Sequence, residues 1–293
     1  MAARFEKLVC TGGSGRLGRY VVRLLRGSCE VTVLDAVPPT GAEPFVRADI
    51  TDIGALRQAF AGREAVIHLA AIPNPRSARP EITFRTNVQG TFAVLQAAAE
   101  TGVRRVVVAS SDSVVGFHYN PPDWRPRYLP IDERHPLCPT EFYSLSKQVT
   151  ETICQSYAQR GRLEVVVIRP THIVFPPEHP ELEARGGDLR NYHLWTYVAP
   201  EDVARAFQLA LALPAVRYET FFISAADGLN TRPTLDLVRE RYGFLPEIRR
   251  PDVYERLPTA SLLDGSKARE VLGFEPSRDW RQMLAGSPTS AEA

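Results

Sequence analysis

Short apolar runs alternate with longer segments of helical period over the first two-thirds of the chain. Leu8-Val9-Cys10, Val31-Thr32-Val33-Leu34, Ala65-Val66-Ile67-His68, Val106-Val107-Val108-Ala109 and Leu163-Glu164-Val165-Val166-Val167-Ile168 read as strands. Their apolar character is continuous rather than alternating, as expected of strands covered on both faces of a parallel sheet. Leu17, Tyr20, Val21, Leu24 and Leu25 share one face of an intervening helix, and another helix starts near Tyr143. The pattern predicts an α/β fold: a doubly wound parallel sheet (Rossmann fold) joined by right-handed crossovers. After Arg169-Pro170 the texture changes. Residues 174–200 are rich in Pro, Glu, His and Gly and read as a substrate-side loop or lid. Residues 201–213 form an amphipathic helix, Phe221-Phe222-Ile223 a strand, and residues 235–242 and 266–272 short helices.

Between the first strand and the first helix lies Thr11-Gly12-Gly13-Ser14-Gly15-Arg16-Leu17-Gly18. Gly12, Gly15 and Gly18 let the backbone turn tightly, admit a pyrophosphate and pack helix on strand, and the helix N-terminus then faces the phosphates. Asp35 closes the second strand, where a carboxylate accepts hydrogen bonds from the adenosine ribose and repels a 2′-phosphate. Ala36 follows, where an NADP enzyme often places an arginine. NAD is the expected cofactor, with Arg16 in the loop able to contact a phosphate of either dinucleotide. Asp49-Ile50 after the third strand is placed to hold the adenine edge or to cap the next helix. His68-Leu69-Ala70-Ala71 ends the fourth strand at the carboxyl edge, where dinucleotides lie; His68 itself reads as a satisfied core residue.

Tyr143 and Lys147 stand four residues apart and so share a helix face. A free phenol, with a pKa near 10, is a poor base at neutral pH. A neighbouring cation favours the phenolate, which suits it to take a proton from an alcohol as hydride leaves the carbon. Ser110-Ser111 ends the fifth strand, and a hydroxyl there can hydrogen-bond the reacting oxygen. Asn87, in a helix beginning near Ile82, is placed to anchor a water or backbone contact. The lysines are only Lys7, Lys147 and Lys267 in a chain whose positive charge is otherwise arginine. One of the three sits in this motif, where a compact ammonium is the useful cation.

Composition narrows the function classes. The 293 residues carry a net charge of +1, with no like-charge block that suggests nucleic acid or a membrane surface. No apolar run reaches transmembrane length and the first residues lack a signal-peptide core, so a cytoplasmic protein is expected. Cys10, Cys29, Cys138 and Cys154 show no pairing and no metal-ligand spacing, so no metal is expected.

With these residues in place, the chain resembles the extended short-chain dehydrogenase/reductases, the NAD-dependent epimerase/dehydratase family. The matching pieces are the Thr11–Gly18 loop, Asp35, Asp49, His68-Leu69-Ala70-Ala71, Asn87, Ser110-Ser111 with Val114-Val115-Gly116, Tyr143 with Lys147, Arg169-Pro170, and Thr196-Tyr197-Val198 with Glu201-Asp202-Val203-Ala204. The resemblance implies that Ser111, Tyr143 and Lys147 are catalytic and Asn87 supports them. It implies cofactor contacts from Gly12, Gly15, Arg16, Leu17, Gly18, Asp35, Asp49, Ile50, Leu69, Ala70, Ala71, Asn87, Tyr143, Lys147, Pro170 and His172. Substrate contacts would come from Pro73, Ser111, Asp112, Tyr143 and Arg190. Residues 1–170, with 200–226 returning to them, would bind NAD. Residues 171–199 and 227–285 would form a small C-terminal substrate-binding region, and 286–293 a disordered tail. The resemblance also implies a homodimer through helices near 91–100 and 146–159.

Departures from the family pattern bear on the reaction. Dehydratases resemble Thr-Asp-Glu-Val-Tyr-Gly after the fifth strand; here the run is Ser111-Asp112-Ser113-Val114-Val115-Gly116, without the second carboxylate. The stretch from Arg169 to Asp202 is short for a nucleotide-diphosphate pocket, and the compact form resembles uronate dehydrogenases. A uronate carboxylate calls for a bidentate arginine. Arg185 and Arg190 are the candidates, while the position the resemblance indicates holds Tyr192. The expected activity is oxidation of a hydroxyl on a small sugar, sugar acid or polyol, with NAD as hydride acceptor. The alternatives are a nucleotide-sugar epimerase using the same Ser/Tyr/Lys set and a non-catalytic NAD(H) sensor.

Overall fold

Side chains alternate across a strand, so neighbouring residues of one strand feed opposite layers. Leu8 and Cys10 join one buried cluster while Val9 joins another, and Val107 is likewise separated from Val106 and Val108. Both sides of the sheet are therefore covered, which explains the continuous hydrophobicity of its strands. In the computed structural model, which describes residues 4–117 and 124–286, the chain begins β1 (Lys7–Thr11), α1 (Arg16–Leu25), β2 (Glu30–Asp35), β3 (Phe45–Arg47), α2 (Ile53–Phe60) and β4 (Ala65–His68). It continues through α3 (Pro80–Phe84), α4 (Gly90–Thr101), β5 (Arg105–Ala109), β6 (Tyr128–Leu129), α5 (Phe142–Gln159) and β7 (Glu164–Pro170). The rest comprises α6 (Leu182–Gly187), α7 (Pro200–Ala212), β8 (Tyr218–Ile223), α8 (Thr234–Tyr242), β9 (Glu247–Ile248), α9 (Pro251–Arg256) and α10 (Trp280–Ala285).

Seven parallel strands run in the order β3-β2-β1-β4-β5-β7-β8. The order reverses between β1 and β4, and ligands of such sheets bind outside the strand carboxyl ends at that switch point. One layer is built from α1 and α7, through Val21, Leu25, Val203, Phe207 and Ala210. The opposite layer is built from α2, α4 and α5, through Leu56, Phe60, Val94, Ala98, Cys154 and Tyr157. A third cluster, including Leu129, Ile131, Trp195, Tyr197, Leu237 and Trp280, holds the later segments around the small parallel pair β6–β9.

Two features lie beyond the sequence pattern. Residues 85–89 form a π-helical turn between α3 and α4, a bulge of the kind that recurs at functional sites. Leu194 and Trp195 both have positive φ, 49° and 60°, an arrangement costly for residues with a Cβ. Of the expected tail 286–293, only Gly286 is among the described residues.

Candidate active site

The glycine loop is shaped by steric exclusion. Gly12 has φ +74°, and a Cβ there would stand 2.5 Å from the Ala70 nitrogen. A Cβ on Gly18 would stand 2.2 Å from the Gly12 carbonyl oxygen, so α1 packs on the loop only because position 18 lacks a side chain. Helix α1 opens at Gly15 without a side-chain cap or an acidic residue in its first turn, leaving its amide end for an anion. Gly18→Ala is expected to cost about 1–3 kcal/mol through overpacking and to weaken dinucleotide binding sharply. Thermal unfolding and calorimetric titration with NAD check both effects.

Asp35, at the carboxyl end of β2, accepts hydrogen bonds from Ser14 N (3.1 Å) and Val37 N (3.3 Å). Its carboxylate is thereby held against the loop. Leu69 and Ala70 donate their amides to the Thr11 carbonyl at 3.0 and 3.1 Å, tying the end of β4 to the end of β1. His68 is buried between Thr11 Oγ1 (2.8 Å) and Thr91 Oγ1 (3.0 Å), and burial lowers its pKa to about 3. It is a neutral core residue, as its place in a strand suggested.

Helix α5 starts where Glu141 accepts from Tyr143 N at 2.6 Å and from Ser144 N. Tyr143, Lys147 and Glu151 then recur every four residues on its buried face. Lys147 Nζ donates to the Ala109 carbonyl at 2.9 Å, at the end of β5. The same Nζ lies 6.0 Å from the Tyr143 ring centroid. Burial lowers the Lys147 ammonium to about 8, while Cys154 and Glu151 favour its charge. Just beyond Ala109, Ser111 Oγ accepts from Ser113 N (3.1 Å) and donates to Asp112 Oδ1 (3.2 Å). Burial raises the Asp112 carboxyl to about 7 against the hydrogen bonds of Thr171, Ser111 and Ser113.

Asn87 sits in the π-turn, 1 % exposed. Its Oδ1 accepts from Ile72 N (2.8 Å), and its Nδ2 donates to Ile72 O (3.2 Å) and Ser146 Oγ (2.9 Å). Asn87 thus ties the loop after β4 to α5.

The profile of the NAD dependent epimerase/dehydratase family matches residues 8–223. The chain belongs to this family. A uronate dehydrogenase from Pseudomonas putida is 28% identical over 228 residues, covering 76% of this chain and 77% of its own. A UDP-glucose 4-epimerase from Streptomyces lividans is 29% identical over 312 residues, covering 93% of this chain and 92% of its own. A short-chain dehydrogenase/reductase from Agrobacterium tumefaciens, solved with bound NAD, superposes with a TM-score of 0.73 at 25% identity, covering 95% of this chain and 94% of its own.

The protein is therefore an enzyme of the extended short-chain dehydrogenase/reductases, an oxidoreductase with NAD as its cofactor. The loop fits the dinucleotide: without side chains at 12 and 18 the turn closes against Ala70 and α1, the amide end of α1 carries no side-chain cap, and the Asp35 carboxylate is fixed beside it at the end of β2.

Other expected contacts are placed as follows. Leu17 is partly buried against the α1 layer. Asp49 accepts from Thr51 N and Oγ1, both at 2.8 Å, and the cap of α2 is Asp52. Ile50 is buried against Gly90. Ala71 is partly buried, Pro73 exposed, and Pro170 buried at the end of β7. Arg16 reaches across to Glu178 (2.9 Å) and lies over the Phe175 ring at 4.0 Å. His172 contacts Glu178 at 3.0 Å and stacks on His193, with centroids 4.0 Å apart. Arg190 is exposed, and Tyr192 is 38 % exposed.

Sequence reasoning missed Glu151. Its carboxylate accepts from Ser110 Oγ (2.5 Å) and, bidentately, from Arg169 Nε (2.8 Å) and Nη2 (2.6 Å). The available signal was the continued four-residue spacing after Tyr143 and Lys147. No cluster of metal-binding side chains occurs among the described residues.

Proposed function

We propose that this enzyme is a dehydrogenase that oxidises a hydroxyl of a small sugar, sugar acid or polyol. The observation that carries the reading is the meeting of α5 with the end of β5: Lys147 Nζ lies on the Ala109 carbonyl and 6.0 Å from the Tyr143 ring centroid, two residues from Ser111. Tyr143 takes the hydroxyl proton, and Lys147 stabilises the phenolate that results from sharing this buried site with a cation. Ser111 donates a hydrogen bond to the reacting oxygen. Asn87 holds the loop after β4 and α5 at a fixed separation. NAD, when bound, accepts the hydride.

The choice of a small substrate over a nucleotide diphosphate is supported by the segment after β7. A diphosphate calls for cations. Arg185 in that segment is engaged by Glu178 (3.0 Å) and Glu181 (2.5 Å), Arg16 is drawn to Glu178, and Arg190 is exposed. Burial opposes the charge of Glu178, yet its bonds to His172, Arg185 and Arg16 bring it down to about 2. It therefore holds Arg185 and Arg16 across the neutral range. The test is a panel of free sugars, uronates, polyols and nucleotide sugars followed by absorbance of reduced cofactor. One NADH per substrate oxidised is expected from a free sugar or polyol. Conversion of a nucleotide sugar to its epimer without net NADH would overturn the dehydrogenase reading.

We further propose that the enzyme is a cytoplasmic homodimer. No helix among the described residues is long and apolar enough to cross a membrane, and no disulfide links its four cysteines, as fits a reducing compartment. Helices α3, α4 and α5 present Ile82, Phe84, Phe92 and Leu145 at 39–46 % exposure, an apolar set that a second copy would cover. Phe92→Asp is expected to convert the dimer to a monomer in light scattering. A wild-type monomer, or a dimeric variant, contradicts this assembly.

A further inference from the structure

Ser111 has one hydrogen and two acceptor lone pairs. Ser113 N–H takes one lone pair at 3.1 Å, closing the turn that follows β5, and the hydrogen points to Asp112 Oδ1 at 3.2 Å. In that arrangement the serine has nothing to donate to a substrate oxygen. Asp112 is 1 % exposed, so its partners are those the protein supplies. The Thr171 hydroxyl, just past β7, is directed at it. Thr171 also shares a hydrogen bond with Thr196, as the acceptor while its own hydrogen is turned to Asp112. This chain reaches from the strand end to the loop that contains the positive-φ pair Leu194 and Trp195.

We propose that Asp112 is a positioning residue for Ser111 and acts as a protonation switch. As a neutral acid it donates to the second lone pair of Ser111 and leaves the serine hydrogen for the reacting oxygen; as a carboxylate it takes that hydrogen for itself. The inference rests on the dehydrogenase reading for its effect on turnover, but the state of the carboxyl is measurable without turnover.

The proton of Asp112 is not consumed. The substrate's hydroxyl proton passes to Tyr143, and the acid stays protonated through the step. A hydrogen bond to a carboxylate is roughly twice as strong as one between neutral groups, so an ionised Asp112 competes effectively for the serine hydrogen. A neutral Asp112 does not.

Several elements surround this carboxyl. Ser111 and Ser113 flank it on its own turn, Thr171 reaches it from the end of β7, and α5, the helix that carries Tyr143 and Lys147, packs on the turn. Cys138 reaches the same turn through its amide bond to the Val114 carbonyl (3.2 Å). Lys147 is held at the Ala109 carbonyl. Burial, not a neighbouring charge, is the leading influence on Asp112.

The test compares wild type, Asp112→Asn and Ser111→Ala. Infrared titration of the cofactor-free proteins should give a wild-type minus Asp112→Asn band of a protonated carboxyl that disappears with a midpoint near 7. In Ser111→Ala, which keeps Asp112, the midpoint should rise, because a hydrogen bond to the charged form is gone. A midpoint near the ordinary value of about 4 overturns the proposal. In turnover, wild-type kcat/KM should fall about tenfold per pH unit above that midpoint, as for one essential protonated group. Asp112→Asn should lose this limb, since an amide offers Ser111 an N–H at every pH. Retention in Asp112→Asn of a limb with its midpoint near 7, below that of the Lys147 ammonium at about 8, also overturns it. If no substrate turns over in any variant, the dehydrogenase reading has failed, and the infrared titration still decides the fate of Asp112.

Discussion

Replacing Tyr143 by Phe is expected to lower kcat by about 10²–10⁴-fold, the usual contribution of a positioned general base, while NAD still binds. The phenol is 8 % exposed on the inner face of α5, so the variant keeps the ring's packing and loses only the oxygen. Gly12, Gly18 and Asp35, where the dinucleotide is expected, lie on other elements and are untouched. Steady-state rates together with calorimetric NAD titration separate the two effects. Undiminished turnover would remove Tyr143 from the chemistry.

The second large effect is on stability. Glu151→Ala is expected to cost about 3–5 kcal/mol, because it leaves the Arg169 guanidinium buried without its carboxylate. The pair is bidentate, with side chains 5 % and 6 % exposed, and Ser110 adds a third hydrogen bond. It joins α5 to the ends of β5 and β7, so its loss also loosens the helix that carries Tyr143 and Lys147. Denaturant unfolding checks the cost. Replacing both partners with apolar residues of similar volume should recover most of it, since a buried ion pair and a packed apolar pair are often comparable. A single variant within about 1 kcal/mol of wild type would contradict this account, as that is the range of exposed pairs.

The contrast between these two sites shows what a sequence discloses. Tyr143 and Lys147 were legible because one helix fixes their relation, and i, i+4 spacing puts them on one face whatever lies around them. The sheet was legible for a similar reason: Val106, Val107 and Val108 are apolar without alternation, which only a doubly covered strand requires. Glu151 has an equally regular position, but its role depends on Arg169 and Ser110, which come from other strands. Likewise the Thr171–Thr196 bond and the pull of Glu178 on Arg16, His172 and Arg185 join segments whose approach depends on the folded loop after β7. The π-turn at 85–89 left no mark on the helical period, although it is what turns Asn87 toward Ile72 and Ser146. Asp49 shows the converse: its Oδ1 is engaged by Thr51 in a local turn, and the cap of the next helix falls to Asp52, three residues on.

The central claim is spatial: the Tyr143 phenol, the Lys147 ammonium and the Ser111 hydroxyl surround one reacting carbon. A crystal structure of the NAD complex tests it most directly. Lys147 Nζ, which now donates to the Ala109 carbonyl, should be found on the hydroxyls of the nicotinamide ribose, with Tyr143 Oη and Ser111 Oγ facing the same side of the nicotinamide ring. A nicotinamide seated away from Ser111 and Tyr143, with Lys147 making no contact to its ribose, would contradict the account.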